Sequence, residues 1–155
     1  MSEVNTKAPN FTLKNQGRED VSLSDHAGKN VILAFFPAAF TGVCEKELCT
    51  FRDSVAALTQ LNATVLGLCV DAPFSNAAFA TQNELNFDVL SDYSRSTVRA
   101  YDVVHDDFAG MAGYTAAQRS VFIVDGDGII RYRWVAPNPG VEPDYDEVQA
   151  ELGKL

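Results

Sequence analysis

Three short, unbroken apolar runs constrain this chain more than any other feature: Val31-Ile32-Leu33-Ala34-Phe35-Phe36, Thr64-Val65-Leu66-Gly67-Leu68-Cys69-Val70 and Ser120-Val121-Phe122-Ile123-Val124. Runs of this kind are strands covered on both faces, so layers must lie above and below them. Between the first two, Leu48, Phe51, Val55, Leu58 and Leu61 recur at spacings of three and four, which predicts a helix from about Cys44 to Leu61. Strand, helix and strand form a βαβ unit. Downstream, Ser75–Leu85 and Ser94–Tyr101 read as helices with a short strand, Phe87–Leu90, between them. Asp125-Gly126-Asp127-Gly128, flanked by apolar runs, predicts a hairpin to Ile129–Trp134 and hence antiparallel late strands. A final helix is expected over Asp144–Leu152, and Phe11–Leu13 with Val21–Leu23 suggests an N-terminal hairpin. The sum is an α/β chain of thioredoxin-like fold: a mixed central sheet, helices on both faces and an N-terminal β-hairpin extension.

Composition narrows the function. With 155 residues, 46% of them hydrophobic, residues 1–155 are expected to form a single domain. The longest apolar stretch, Val31 to Phe40, contains Pro37 and falls well short of the roughly 20 residues of a membrane helix. No basic segment followed by an apolar one opens the chain, so the expectation is a cytoplasmic protein without a secretory signal. A formal charge of −9 argues against nucleic acid and against acidic membranes, because both are bound by clustered Lys and Arg. Three cysteines cannot make a complete set of intramolecular disulfides, and in such a chain they read as reduced thiols.

Cys44 stands where an apolar run, Phe35 to Val43, gives way to the helical pattern that starts with Glu45-Lys46-Glu47-Leu48. A thiol on the first turn of a helix meets unpaired N–H groups and the positive end of the helix dipole, and both favour its anion. It is therefore a candidate nucleophile. Cys-x-x-Cys, the thioredoxin arrangement, is absent, since Cys44 is followed by Glu45, Lys46 and Glu47. Metal-ligand spacing is absent too, and neither a metal nor a cofactor is expected.

Pro37-x-x-x-Thr41-x-x-Cys44 resembles the motif of the peroxiredoxins, the thiol peroxidases of the alkyl hydroperoxide reductase and thiol-specific antioxidant type. The resemblance extends to Ala8–Leu13, Gly67–Phe74 and Gln118–Asp125, in the family's order, and so covers nearly the whole chain. It implies reduction of hydrogen peroxide and organic hydroperoxides in antioxidant defence, with Cys44 as the peroxidatic cysteine that becomes a sulfenic acid. It also implies a hydroxyl partner in Thr41, an activating cation in Arg119, a shielding ring in Pro37 and an arginine-orienting carboxylate in Glu47. Thr41 has a second expected role as a helix N-cap. A non-catalytic scaffold of the same fold would have no use for Thr41, Cys44 and Arg119 together.

Regeneration is the open half of the cycle. Cys44 and Cys49 are spaced as in the bacterioferritin comigratory, or peroxiredoxin Q, subgroup, where the second cysteine resolves the first. Phe35 to Cys44 and the tail after Trp134 resemble instead the alkyl hydroperoxide reductase E subgroup, often one-cysteine enzymes. Either Cys49 or an external thiol, thioredoxin-like or of low molecular weight, completes the cycle. Five residues on an intact helix separate by a rise of about 7.5 Å and a turn of about 140°, too far for a disulfide. Resolution by Cys49 therefore requires the first turns to unwind. Cys69, inside a buried strand, reads as structural. The resemblance finally implies a homodimer packed near the Cys44 loop.

Overall fold

The computed structural model describes residues 3–155. Its strands and helices are β1 (Thr12–Lys14), β2 (Asp20–Ser22), β3 (Asn30–Phe35), α1 (Gly42–Gln60), β4 (Ala63–Cys69), α2 (Pro73–Gln82), β5 (Asp88–Ser91), α3 (Ser96–Ala100), β6 (Val104–His105), β7 (Ala116–Ala117), β8 (Ser120–Val124), β9 (Ile130–Val135) and α4 (Tyr145–Leu152). A seven-stranded sheet runs β2-β1-β5-β4-β3-β8-β9. β3 pairs parallel with β4, and β4 with β5, whereas β8 is antiparallel to both β3 and β9. The sheet is mixed, as the βαβ unit and the late hairpin require.

The apolar runs are covered on both sides. Ile32, Ala34 and Phe36 of the β3 region face a core shared with Leu48, Phe51 and Leu58 of α1, Phe79 of α2, and Val148 and Leu152 of α4. Val31, Leu33 and Phe35 face a second core with Phe11, Leu13, Val98 and Tyr101. Alternation along the strand thus sends neighbouring residues into opposite layers. The aromatic side chains of the second core meet at angles: Phe35, Tyr101 and Phe122 have ring centroids 5.2 to 5.7 Å apart.

The turn between β8 and β9 is closed by side-chain chemistry. Asp125 Oδ1 accepts the amides of Asp127 (2.9 Å) and Ile129 (3.0 Å), and Gly128 takes a left-handed φ of +80°. The N-terminal hairpin, β1 with β2, joins the main sheet through the single register pair Lys14 and Ser91.

Element borders moved where caps decide them. α2 starts at Pro73 rather than Ser75, because proline is preset for the first helical position. α3 is shorter than expected: Arg95 is left-handed (φ 63°), and the buried Asp92 carboxylate takes the amides of Thr97 (3.1 Å) and Val98 (2.8 Å). The small β6–β7 pair has no apolar run to announce it. Among the described residues no helix is long and apolar enough to cross a membrane.

Candidate active site

Cys44 is the third residue of α1, just past the carboxyl end of β3, where open α/β sheets gather ligands. The helix begins two residues earlier than the apolar spacing implies. Thr41 holds extended cap angles (φ −87°, ψ 144°), and Gly42 and Val43 already wind. The first bond of the ladder runs from the Glu45 amide to the Thr41 carbonyl (2.9 Å). The amides of Gly42, Val43 and Cys44 precede that ladder, and no side chain among the described residues accepts from them. They remain available to an anion at this helix end.

The Cys44 thiol is completely buried. Arg119, the residue before β8, reaches it with Nη2 at 3.1 Å, gives Nη1 to Glu47 Oε1 at 2.7 Å and gives Nε to the Pro139 carbonyl at 3.1 Å. Three partners of one rigid fork fix its position. The Arg119 main chain is fixed as well, its carbonyl accepting the Ala136 amide (2.8 Å). Burial opposes its charge, but the Glu47 carboxylate and the Cys44 sulfur together hold it above its ordinary value.

Glu47, one turn after Cys44, is as deeply buried as the thiol. Oε1 takes the arginine, while Oε2 has no hydrogen-bond partner among the described residues. Burial accordingly pushes this carboxyl up to about 7, and the guanidinium pulls the other way without cancelling it. It therefore titrates around neutral pH while its Oε1 holds the Arg119 fork at 2.7 Å.

Thr41 is the cap residue of α1 by position, but its side chain is engaged elsewhere. Its hydroxyl neither caps the helix nor reaches Cys44; it donates to the Ala38 carbonyl (2.9 Å). The hydroxyl thus stiffens the loop before α1 and keeps its lone pairs as acceptors. Pro37 is buried two residues after β3 at the base of this loop. Asp71, for which the sequence predicts no role, takes the Ala39 amide on Oδ2 at 2.8 Å. Its own carbonyl accepts Ser91 Oγ. Its signals were the Gly67–Phe74 block that contains it and its place just after β4, a strand parallel to β3, where side chains from both strands reach the same edge.

Cys49 lies on the same unbroken helix but faces α2, donating to Asn83 Oδ1 at 3.4 Å. The half-buried Arg52 pairs with Asp53 (2.9 Å) and also donates to the Asn83 carbonyl (2.6 Å). Cys69 is buried and donates to Asn76 Oδ1 (3.1 Å); burial pushes its thiol well above its ordinary value. All three cysteines are free thiols.

The model of the AhpC/TSA family matches residues 4–133. The chain belongs to this family. Among curated AhpC/TSA relatives, alkyl hydroperoxide reductase E of Mycobacterium tuberculosis is 38% identical over 135 residues, 85% of this chain and 84% of that protein. A Coxiella burnetii protein provisionally named peroxiredoxin bcp is 35% identical over 150 residues, 97% of this chain and 98% of that one. Similarity to both subgroups agrees with the mixed motifs. Among solved structures, peroxidoxin BcpB of Mycobacterium tuberculosis superposes with a TM-score of 0.87 at 24% identity, covering 100% of this chain and 99% of that one. The likeness shows that the AhpC/TSA chain has the thioredoxin-like fold of peroxiredoxins.

Proposed function

We propose that this chain is a thiol-dependent peroxidase in which Cys44 is the peroxidatic cysteine. The observation that carries the reading is the Arg119 guanidinium, bonded at once to the Cys44 sulfur and to Glu47. A hydrogen bond from a permanent cation favours the thiolate over the thiol. The thiolate attacks the terminal oxygen of a hydroperoxide, the O–O bond breaks, and the departing alkoxide or hydroxide takes a proton to leave as alcohol or water. Sulfur is oxidised to the sulfenic acid. Arg119 and the free amides at the start of α1 face the charge that spreads over the two oxygens in the transition state.

The remaining residues have supporting parts. Glu47 orients Arg119, Pro37 covers the thiol with a ring that donates no hydrogen bond, and Thr41 and Asp71 hold the loop between them. Cys49 resolves the sulfenic acid after the start of α1 unwinds, and a thioredoxin-like or low-molecular-weight thiol reduces the disulfide. The chain works as one domain, in the cytoplasm and as a homodimer joined near the Cys44 loop, where Phe40 is exposed.

Peroxide consumption with dithiothreitol, measured for the wild type and Cys44→Ser, tests the central assignment. Equal rates would end it.

A further inference from the structure

We propose that Asn83, the cap residue at the C-terminal end of α2, positions the resolving thiol: its side-chain oxygen holds Cys49 away from Cys44 while α1 is wound and releases it as the helix opens. The inference rests on the reading of Cys49 as the resolving cysteine. The Asn83 side chain is fixed in orientation, because its Nδ2 donates to the Phe79 carbonyl at 3.0 Å and so turns Oδ1 toward the Cys49 thiol at 3.4 Å.

The same corner grips α1 one turn further on. The Asn83 carbonyl accepts Arg52 Nη1 (2.6 Å), and Asn86 Nδ2 donates to the Arg52 carbonyl (3.4 Å). Phe51 beside it is buried, with its ring edge-on to Tyr145 at 5.4 Å. From Phe51 onward α1 is pinned to its surroundings. The polar ties of the earlier turns run instead through Cys44 and Glu47 to Arg119 and from Lys46 to Glu142 (3.1 Å). Unwinding that ends at Phe51 breaks these and lifts Leu48 from the core, and Cys49 is the last residue of the opening segment with a polar tie to the α2 corner.

Resolution must break that tie. Cys49 sulfur attacks the Cys44 sulfenic acid, the S–S bond forms, the S–OH bond breaks, and hydroxide leaves as water with the thiol proton. The Cys49 sulfur is oxidised and the Cys44 sulfur reduced, with no further reactant. The Asn83 contact therefore enters the rate of disulfide formation and not the rate of attack on peroxide.

Two substitutions separate this latch from general loosening of α2. Asn83→Ala and Asn83→Asp both lose the donor to Phe79, but only aspartate keeps an acceptor for the thiol. The full-length reduced protein is mixed with one equivalent of hydrogen peroxide, quenched at intervals, alkylated and analysed by mass spectrometry for sulfenic acid and disulfide. Both variants should form sulfenic acid at the wild-type rate. Disulfide should then appear about threefold faster in Asn83→Ala, as expected for the loss of one weak hydrogen bond, and more slowly than wild type in Asn83→Asp. Acceleration of both variants alike, or an unchanged disulfide rate in Asn83→Ala, overturns the latch. Wild-type sulfenic acid that decays with Cys49 still free overturns it together with the resolving role, and leaves the Cys44 assignment standing.

Discussion

Arg119 divides one guanidinium among a sulfur, a carboxylate and a backbone carbonyl. Replacement by methionine should lower the second-order rate with peroxide by about 10²- to 10³-fold, the usual cost of removing a donor aimed at developing charge. Lysine keeps the charge but not the fork, so Arg119→Lys should recover only part of the loss, as stopped-flow oxidation kinetics will show. Glu47 gives a prediction on pH. Its carboxyl lies near 7 in the folded chain against an ordinary 4.5, so between these values the folded state binds more protons than the unfolded one. The contribution is fully present below about pH 4.5 and is lost as pH rises through about 7, a change on the order of 3 kcal/mol. Urea unfolding from pH 5 to 8 should show this decline in the wild type and a flatter profile in Glu47→Gln.

Helix α1 carries two tasks that compete. Its wound start presents free amides beside Cys44, and the same winding keeps Cys49 turned toward Asn83. Amide hydrogen exchange should therefore quicken at residues 43–50 once Cys44 is oxidised and stay slow from Phe51 on; uniform protection along the helix would contradict unwinding. α3 depends on one buried carboxylate, and Asp92→Ala should cost about 1 to 2 kcal/mol in chemical denaturation, the range for losing a helix cap. The contrast between these helices explains what could be read in advance. Leu48, Phe51 and Leu58 announce α1 because its burial is periodic, whereas the start of α3 is set by Asp92, four residues before it, and by a left-handed Arg95. Cys44 and Arg119 were legible through motifs on either side of them. Asp71 lay inside such a motif without its task being legible, and Asn83 lay in none, because each acts on a backbone amide or thiol more than thirty positions away that only the folded chain brings near.

The whole molecule carries a formal charge of −9, yet the cation at its site is buried. A neutral peroxide feels little of that field, but an anionic thiol approaching the oxidised site is repelled. Raising salt should speed recycling by an anionic reductant such as mercaptoethanesulfonate and leave recycling by dithiothreitol nearly unchanged, which a coupled peroxide assay will register. Light scattering should give a mass near twice the 16.9 kDa of one chain if two copies join at the Cys44 loop.

Strand β9 lies at one border of the sheet, and that border is not open along its length. The Asn5 amide donates to the Ile130 carbonyl (2.7 Å), and the Ile130 amide donates to the Thr6 carbonyl (2.9 Å). Further along, Arg131 and Arg133 are exposed; Arg131 is bound to Asp125 at 2.7 Å, and Arg133 lies over the Phe122 ring at 5.6 Å. A foreign strand seeking to lengthen the sheet there would have to strip water from two guanidinium groups. Fibre-like growth is discouraged on that side, a protection that would matter most if α1 opens during turnover as proposed.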